Sequence, residues 1–431
     1  MDDDRFLSLK QSLQTVEETD QLISFLESQE TFSFPPLNNG LFPAAIAHES
    51  TGYQSIWVRD NIHIAHALYA VGKVQSACLA MSTLTDYFIK HRNRFDDVIS
   101  GKTHPKEIMK RPHIRFDGNT LGEIDEKWAH AQNDALGYYV WLYSLLVLQG
   151  KLRPTQESLE LLAAFVRYFE KIRFWEDADS GHWEEARKIE ASSIGTAVAG
   201  LMMLKQSLDQ SETWSHFKLG KKSVPLEILD DLIQQGQSTL SQILPAECIQ
   251  PDPLQARKYD AALLFLIYPL GLVQGEMSET IMEDVRTHLM GDYGIRRYLG
   301  DSYWCADYKE ILSEDDRTSD FSDDQASRDQ LLKPGEEAQW CIFDPILSVI
   351  YGQRFLQSEK SEEYENQRFH LDRSLNQITT HESSFGAYRC PESYYLENGK
   401  YVPNDITPLL WTQANLMMAL HQWKKSLMVR N

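Results

Sequence analysis

The sequence is poor in basic residues and in long apolar runs, and each shortage excludes a class of protein. It contains 42 Lys and Arg against 63 Asp and Glu, a net charge of −21. Nucleic acids and anionic membrane surfaces require a basic face, so neither partner is expected. No run of about 18 apolar residues predicts a membrane-spanning helix. The MDDDRF start also lacks the features of a signal peptide.

Cysteine is scarce as well. The five cysteines stand far apart without a CxxC pair, which disfavours both a disulfide framework and a zinc site. We therefore expect a reduced, cytoplasmic protein. There is no phosphate-binding loop, no dinucleotide GxGxxG after a strand, no HExxH and no GxSxG. We predict neither a cofactor nor a metal.

Strand patterns are also rare, whereas six long apolar segments recur at nearly even spacing. Their starts lie 60–77 residues apart, and they are apolar on almost every side, as buried helices are. Amphipathic segments lie between them, and one more precedes the first. The apolar segments start near Asp60, Gln132, Ser192, Asp260, Glu337 and Thr407, and the amphipathic ones lie near 74–91, 154–172, 225–243, 277–290 and 359–377.

Six buried helices that alternate with six amphipathic ones predict an all-α fold. The expected architecture is an (α/α)6 barrel, a six-hairpin toroid whose inner ring is the buried set. We expect residues 1–431 to form a single domain, with an outer helix in residues 1–33. Two polar segments, 92–127 and 305–336, break the pattern and are predicted to be loop inserts over one face. Spacing alone leaves an irregular helical domain as the alternative.

Aromatic, acidic and arginine residues stand just before the buried helices. In a ring of hairpins all inner helices begin at one face, so these side chains are expected to converge there. Aromatic rings stack on the apolar faces of sugars, and charged groups bind the hydroxyls, so the set favours a carbohydrate site. Its members are Trp57, Arg59, Asp60, Trp128, Gln132, Asp134, Trp183, Glu184, Glu185, Arg297, Asp301, Glu392 and Tyr394.

Two of these carboxyl groups, Glu184 and Glu392, are candidates for cleaving a glycosidic bond. Hydrolysis needs one carboxyl that is protonated and another that is ionised. We expect Trp183 to raise the pKa of the adjacent Glu184 by desolvation. Each motif alone also has a structural interpretation. Glu184 could be an anion at a helix start, and Arg59 with Asp60 an ion pair and helix cap.

The motifs occur in the order found in glucoamylases of glycoside hydrolase family 15, which the sequence resembles over about residues 39–425. It resembles still more closely the related amino-terminal domains of the phosphorylase kinase α and β subunits. The stretches compared are 39–43, 57–60, 128–134, 183–185, 190–195, 297–301, the helix of Trp340, 391–395 and 408–411.

This resemblance implies an inverting reaction in which Glu184 is the general acid and Glu392 is the general base that activates water. It also implies that the terminal glucose lies against Trp128. The side chains that would bind its hydroxyls or nearby ones are Arg59, Asp60, Arg297 and Glu185.

We therefore expect a hydrolase that releases glucose from the non-reducing end of short α-glucans or related α-glucosides. The likeness to kinase subunits leaves a second possibility, a non-catalytic carbohydrate-binding or regulatory module. A third is a scaffold whose acidic segment 305–336 recruits a basic partner. The sequence predicts neither the linkage that is cleaved nor the oligomeric state.

Overall fold

The computed structural model describes residues 2–45, 55–210, 226–251, 256–317 and 319–430. Within these ranges the chain is mainly helical, as predicted. The α-helices are, in chain order, α1 (Asp2–Ser12), α2 (Val16–Ser28), α3 (Val58–Ala70), α4 (Val74–Lys90), α5 (Asn93–Ile99), α6 (Asn133–Leu148), α7 (Gln156–Ile172), α8 (Ala191–Gln210), α9 (Leu226–Ile243), α10 (Leu264–Ile267), α11 (Gly275–Asp284), α12 (Tyr308–Ile311), α13 (Gln325–Asp329), α14 (Phe343–Ser358), α15 (Ser361–Asn376) and α16 (Leu410–Arg430).

Two small antiparallel sheets of three strands each supplement the helices. In the first sheet, Trp57 pairs with Arg115 and is followed directly by α3. In the second, Trp340 pairs with Ser393 shortly before α14. The sheets thus hold the segments that lead into two of the buried helices. Their strands are β1 (Ile56–Trp57), β2 (Arg115–Asp117), β3 (Gly122–Glu123), β4 (Gln339–Trp340), β5 (Ser393–Glu397) and β6 (Lys400–Pro403).

Six helices form a closed inner ring. In the order α3, α6, α8, α10, α14 and α16, each contacts the next, and α16 returns to contact α3. An outer helix packs on each of them: α4 on α3, α7 on α6, α9 on α8, α11 on α10, α15 on α14 and α2 on α16. The predicted (α/α)6 barrel, a six-hairpin toroid, is therefore confirmed.

Glycine allows two inner helices to pack very closely. A Cβ atom on Gly137 of α6 would lie 2.7 Å from backbone atoms of Thr196 and Ala197 in α8. A Cβ atom on Gly200 of α8 would lie 2.6 Å from the carbonyl oxygen of Gly137. Because these neighbours are backbone atoms, a side chain at either position would push the two helices apart.

The fourth inner helix is much shorter than the apolar pattern predicts. A 3-10 turn over Ala261–Leu263 leads into α10, which ends after a single turn at Ile267. Pro269 follows, and the residue before a proline is disfavoured in the helical conformation. The helix therefore ends before the apolar pattern of the sequence does.

Several predicted boundaries were wrong in detail. Residues 1–33 contain two helices because Thr15 starts a second one, in a reciprocal capping box with Glu18. The segment predicted to become helical near Glu337 first forms β4, and α14 starts at Phe343. The inserts are not simple loops: residues 92–127 contain α5, β2 and β3, and 305–336 contain α12 and α13. Of the helices described, none is long and apolar enough to span a bilayer.

We predict that Gly137→Ala lowers the free energy of unfolding by about 1–3 kcal/mol, because the added methyl group overpacks the α6–α8 contact. Denaturant unfolding measures this change. Gln206→Ala, on the exposed side of α8, is the control and should change stability by less than about 0.5 kcal/mol. Equal stability of the Gly137 variant and the wild type would contradict this packing.

Candidate active site

A cavity of about 860 Å³ opens where the inner helices begin. The wall comes from segments that precede or start α3, α6, α8, α14 and α16. The structure brings together in this wall eight of the residues that the sequence predicted: Trp57, Arg59, Asp60, Trp128, Trp183, Glu184, Arg297 and Glu392.

The other five predicted residues do not line the cavity. Four of them are buried behind its wall and bind arginines that do line it. Tyr394 is directed elsewhere, because its hydroxyl donates a hydrogen bond to the carbonyl oxygen of Gln377 at 3.0 Å. The four buried residues are Gln132 and Asp134 behind Arg59, and Glu185 and Asp301 behind Arg297.

Arg59 is held by two separate segments of the chain, residues 132–134 and Gly181. Its Nε donates to Asp134 Oδ2 at 2.7 Å, and its Nη2 donates to Gln132 Oε1 at 2.5 Å. The same Nη2 donates to the carbonyl oxygen of Gly181 at 3.0 Å. Burial alone would raise the pKa of Asp134, but the charges of Arg59 and His182 hold that pKa below its usual value. The guanidinium thus has an ionised partner and a defined direction.

Two carboxyl groups of the cavity lie near Arg59 and remain harder to ionise than usual. Glu184 Oε1 lies 3.7 Å from Arg59 Nη1 and accepts no hydrogen bond from any described residue. Burial raises the pKa of Glu184, and the positive charge of Arg59 offsets only part of this effect. Burial likewise raises the pKa of Asp60 to about 7. Glu184 can therefore remain protonated at a higher pH than an exposed glutamate.

The backbone of Glu184 has a left-handed conformation with φ of 58°. A residue with a Cβ atom adopts this conformation at a cost of roughly 1–3 kcal/mol, so the surrounding contacts must enforce it. The turn is held by hydrogen bonds from the Glu184 amide to Gly181 O and from the Glu185 amide to Ser180 O. It directs consecutive glutamates to different places: Glu184 lines the cavity, whereas Glu185 is buried behind it.

Glu392 reaches the same cavity from the opposite part of the ring, immediately before β5. Its amide donates to Ile406 O at 3.0 Å, and its carbonyl oxygen accepts from the amide of Cys341 at 2.9 Å. Asn404 Nδ2 donates to Glu392 Oε2 at 2.6 Å. The side chain is buried and oriented by this amide, which suits an ionised carboxylate that accepts a proton.

Arg297 is packed among aromatic rings. Its guanidinium lies 5.0 Å from the ring centroids of Trp183 and Tyr303 and 4.9 Å from that of Trp340. Both oxygens of Asp301 accept hydrogen bonds from it at 2.6 Å. The bidentate pair keeps Arg297 charged in a nonpolar setting and fixes its orientation.

Glu185 is surrounded by positive charge. Arg257 Nη2 donates to it at 2.8 Å, and the guanidinium groups of Arg297 and Arg328 approach to 3.4 and 3.5 Å. The hydroxyl of Tyr298 also donates to it. Burial alone would raise the pKa of Glu185, but these arginines lower it well below its usual value. Glu185 is thus an ionised anchor for the surrounding arginines.

The sequence did not predict the contribution of the two inserts to the cavity. From the first insert, the Arg115 guanidinium lies 4.1 Å from the ring centroid of Trp128 and 5.1 Å from that of Trp57. The only sequence signal was the unusual length of each insert. The second insert contributes Ser319, Asp320, Phe321 and Arg328, and the ring adds His182, Tyr303, Trp340, Leu409 and Trp411.

Comparisons with known proteins identify a family and relatives of this chain. The family model described as Glycosyl hydrolases family 15 matches residues 28–418. The probable phosphorylase b kinase regulatory subunit alpha of Caenorhabditis elegans is 28% identical over 273 residues, which cover 57% of this chain and 21% of that subunit. This chain therefore spans about a fifth of the length of that relative.

Two solved structures share the fold. A wild-type glycosidase has a TM-score of 0.63 and 15% identity, and the match covers 98% of this chain and 99% of that one. A glucoamylase from Saccharomycopsis fibuligera has a TM-score of 0.60 and 12% identity, with 94% and 95% of the two chains covered. At such low identity these likenesses show the fold alone.

We predict that Asp134→Asn lowers the free energy of unfolding by about 3–5 kcal/mol, because it leaves the buried guanidinium of Arg59 without its charged partner. Thermal or denaturant unfolding measures the loss. The matched control is Asp97→Asn, which breaks the exposed pair with Lys102 and should cost at most about 1 kcal/mol. Similar small losses in both variants would refute the structural role of the Arg59–Asp134 pair.

Proposed function

This chain belongs to glycoside hydrolase family 15, and from that premise we propose that it is an inverting hydrolase. Its substrates are short α-glucans or related α-glucosides, from which it releases the non-reducing terminal glucose. The observation that carries this proposal is the presence of Glu184 and Glu392 in one cavity, with Arg59, Asp60 and several aromatic rings. Inversion by two carboxyl groups requires an acid and a base on opposite sides of the sugar.

In the proposed reaction, Glu184 gives its proton to the glycosidic oxygen as the bond to the anomeric carbon breaks. Glu392 accepts a proton from a water molecule whose oxygen attacks that carbon from the other face. Glucose of inverted configuration and a free leaving group are the products. The raised pKa of Glu184 supports its role as the acid, and the hydrogen bond from Asn404 to Glu392 supports its role as the base.

The cavity wall also supplies groups suited to holding glucose. Trp128, with Arg115 against its ring, offers a rigid aromatic surface for a sugar face. Arg59 and Asp60 also line the cavity, and in the proposed complex they bind hydroxyls of the glucose. Glu185, whose oxygens already face three arginines, acts by holding Arg297 and Arg328 in position.

A second candidate function is a carbohydrate-binding module without turnover. Its support is the likeness to a protein named as a regulatory subunit of phosphorylase kinase. The two functions differ in one measurable property, since both require sugar binding and only one requires bond cleavage. The two glutamates in one cavity favour cleavage.

We predict that Glu184→Gln and Glu392→Gln each lower kcat by roughly 10²–10⁴-fold, because each removes one proton transfer. Glucose release is measured with maltose, isomaltose, nigerose, trehalose and maltooligosaccharides, and sugar binding by calorimetry. Glu157→Gln, an exposed change at the start of α7, is the control. Wild-type rates in either glutamine variant would refute the assigned role. Sugar binding without cleavage by the wild type would favour the module.

We also predict opposite pH shifts for two charge-removing variants at the cavity wall. Activity requires protonated Glu184, so it is lost as pH rises through the pKa of that group. Arg115 lowers the pKa of Glu184 and Asp320 raises it, although burial has the largest effect. Arg115→Gln should therefore move the alkaline limb of the kcat profile to higher pH, and Asp320→Asn should move it to lower pH. Shifts in the same direction would contradict Glu184 as the acid.

A further inference from the structure

A second cleft, of about 800 Å³, adjoins the candidate active site. The two spaces share two wall residues, Trp128 and Asp320. One side of the cleft comes from the first insert through residues 106–110 and Lys127. The other side comes from the second insert through Asp320, Ser322 and Asp323. Ser180 and Arg187, which flank the turn of Glu184, complete the wall. A group in this cleft would therefore lie next to the bond that Glu184 is proposed to protonate.

The charge of the cleft differs from that of the chain. The whole sequence has two basic residues for every three acidic ones, whereas the cleft wall has four basic residues and three acidic ones. The basic residues are Lys106, Lys110, Lys127 and Arg187, and the acidic ones are Glu107, Asp320 and Asp323.

Two of the three carboxylates already have partners within the cleft. Lys110 Nζ lies 2.6 Å from Glu107 Oε2, and Lys127 Nζ lies 2.9 Å from Asp323 Oδ2. One oxygen of the third, Asp320, accepts a hydrogen bond from the amide of Ser322 at 2.8 Å. Glu107 and Asp323 therefore neutralise two lysines, whereas Asp320 keeps its charge. Two further cations remain, so the wall has a net charge of +1.

Those two cations are Lys106 and Arg187. Both side chains are exposed, and neither forms a salt bridge or a side-chain hydrogen bond with any residue that the structure describes. They come from different segments, the first insert and the turn that carries Glu184. A neutral sugar requires neither charge, whereas an anionic group of a substrate would meet both cations in this cleft.

We propose that this cleft is a subsite for an anionic group, a phosphate or a carboxylate, on the leaving group of the substrate. The inference rests on the proposed hydrolysis, and it narrows the substrate class to glucosides whose leaving group is negatively charged. The non-reducing glucose occupies the cavity, and the leaving group extends past Trp128 into the cleft. Lys106 and Arg187 bind the anion there, because ammonium and guanidinium groups form charge-assisted hydrogen bonds with such oxygens.

The test compares a neutral disaccharide with charged counterparts. The substrates are maltose or nigerose, whichever is cleaved better, the same disaccharide with a 6-phosphate on its reducing-end unit, and the counterpart with glucuronate as that unit. In both linkages C6 of that unit is free to carry the charge. We expect kcat/KM to be higher for at least one charged substrate at low salt, and the choice between them identifies the anion. Added NaCl should lower this preference because the cleft is exposed.

The double variant Lys106→Gln/Arg187→Gln should reduce the ratio of kcat/KM for the charged substrate to that for the neutral one by about tenfold. This is the effect expected from losing charge-assisted hydrogen bonds. Lys102→Gln, an exposed lysine of the same insert outside the cleft, is the control and should keep the preference. Equal kcat/KM for neutral and charged substrates would overturn the proposal while leaving hydrolysis intact. An undiminished preference in the double variant would overturn it as well.

Calorimetry separates failure of this inference from failure of the proposed function. If no disaccharide is cleaved, the phosphorylated and neutral disaccharides are titrated into the wild type and the double variant. Tighter binding of the phosphorylated sugar that is lost in the double variant would support the anionic subsite in a binding protein. Equal binding of the two sugars would overturn it.

Discussion

The buried pair of Arg59 and Asp134 is the interaction on which the candidate site most depends. A buried guanidinium is tolerated only when its donors are satisfied, and here two chain segments, residues 132–134 and Gly181, supply the partners. One partner, the carbonyl oxygen of Gly181, belongs to the turn that places Glu184 at the cavity. The turn that carries the proposed acid is therefore joined through Arg59 to the starts of α3 and α6.

A second charged group connects the ring to its second insert, residues 305–336. Glu185 faces Arg257 and Arg297 from the ring and Arg328 from the 305–336 insert. Because the Glu185 carboxylate contacts all three arginines, it links the 305–336 insert to the ring. Glu185 directly follows the proposed acid, Glu184. This anchoring places Asp320 and Phe321 in the cavity wall. In an acidic chain, arginines are thus concentrated around this cavity.

Much of the fold was predictable because its repeating unit leaves a repeating pattern. Apolar segments at even spacing indicated the inner ring, and the residues before them included Arg59, Glu184 and Glu392, which do line one cavity. The prediction followed the hydrophobic pattern and therefore missed two local effects. These are the helix start capped by Thr15 and the early end of α10 before Pro269. Arg115 and Arg328 were missed because their contacts join segments distant in sequence that have no periodicity. The hydrogen bond of Tyr394 to Gln377 is a tertiary contact of the same kind.

The stereochemistry of the released glucose tests the central claim most directly. Proton NMR of a fresh reaction of the wild type with the best-cleaved disaccharide distinguishes the anomers before mutarotation mixes them. A general acid and a general base acting on a water molecule predict β-glucose as the first product from an α-glucoside. First release of α-glucose would contradict the account, because it would require one glutamate to act as a nucleophile.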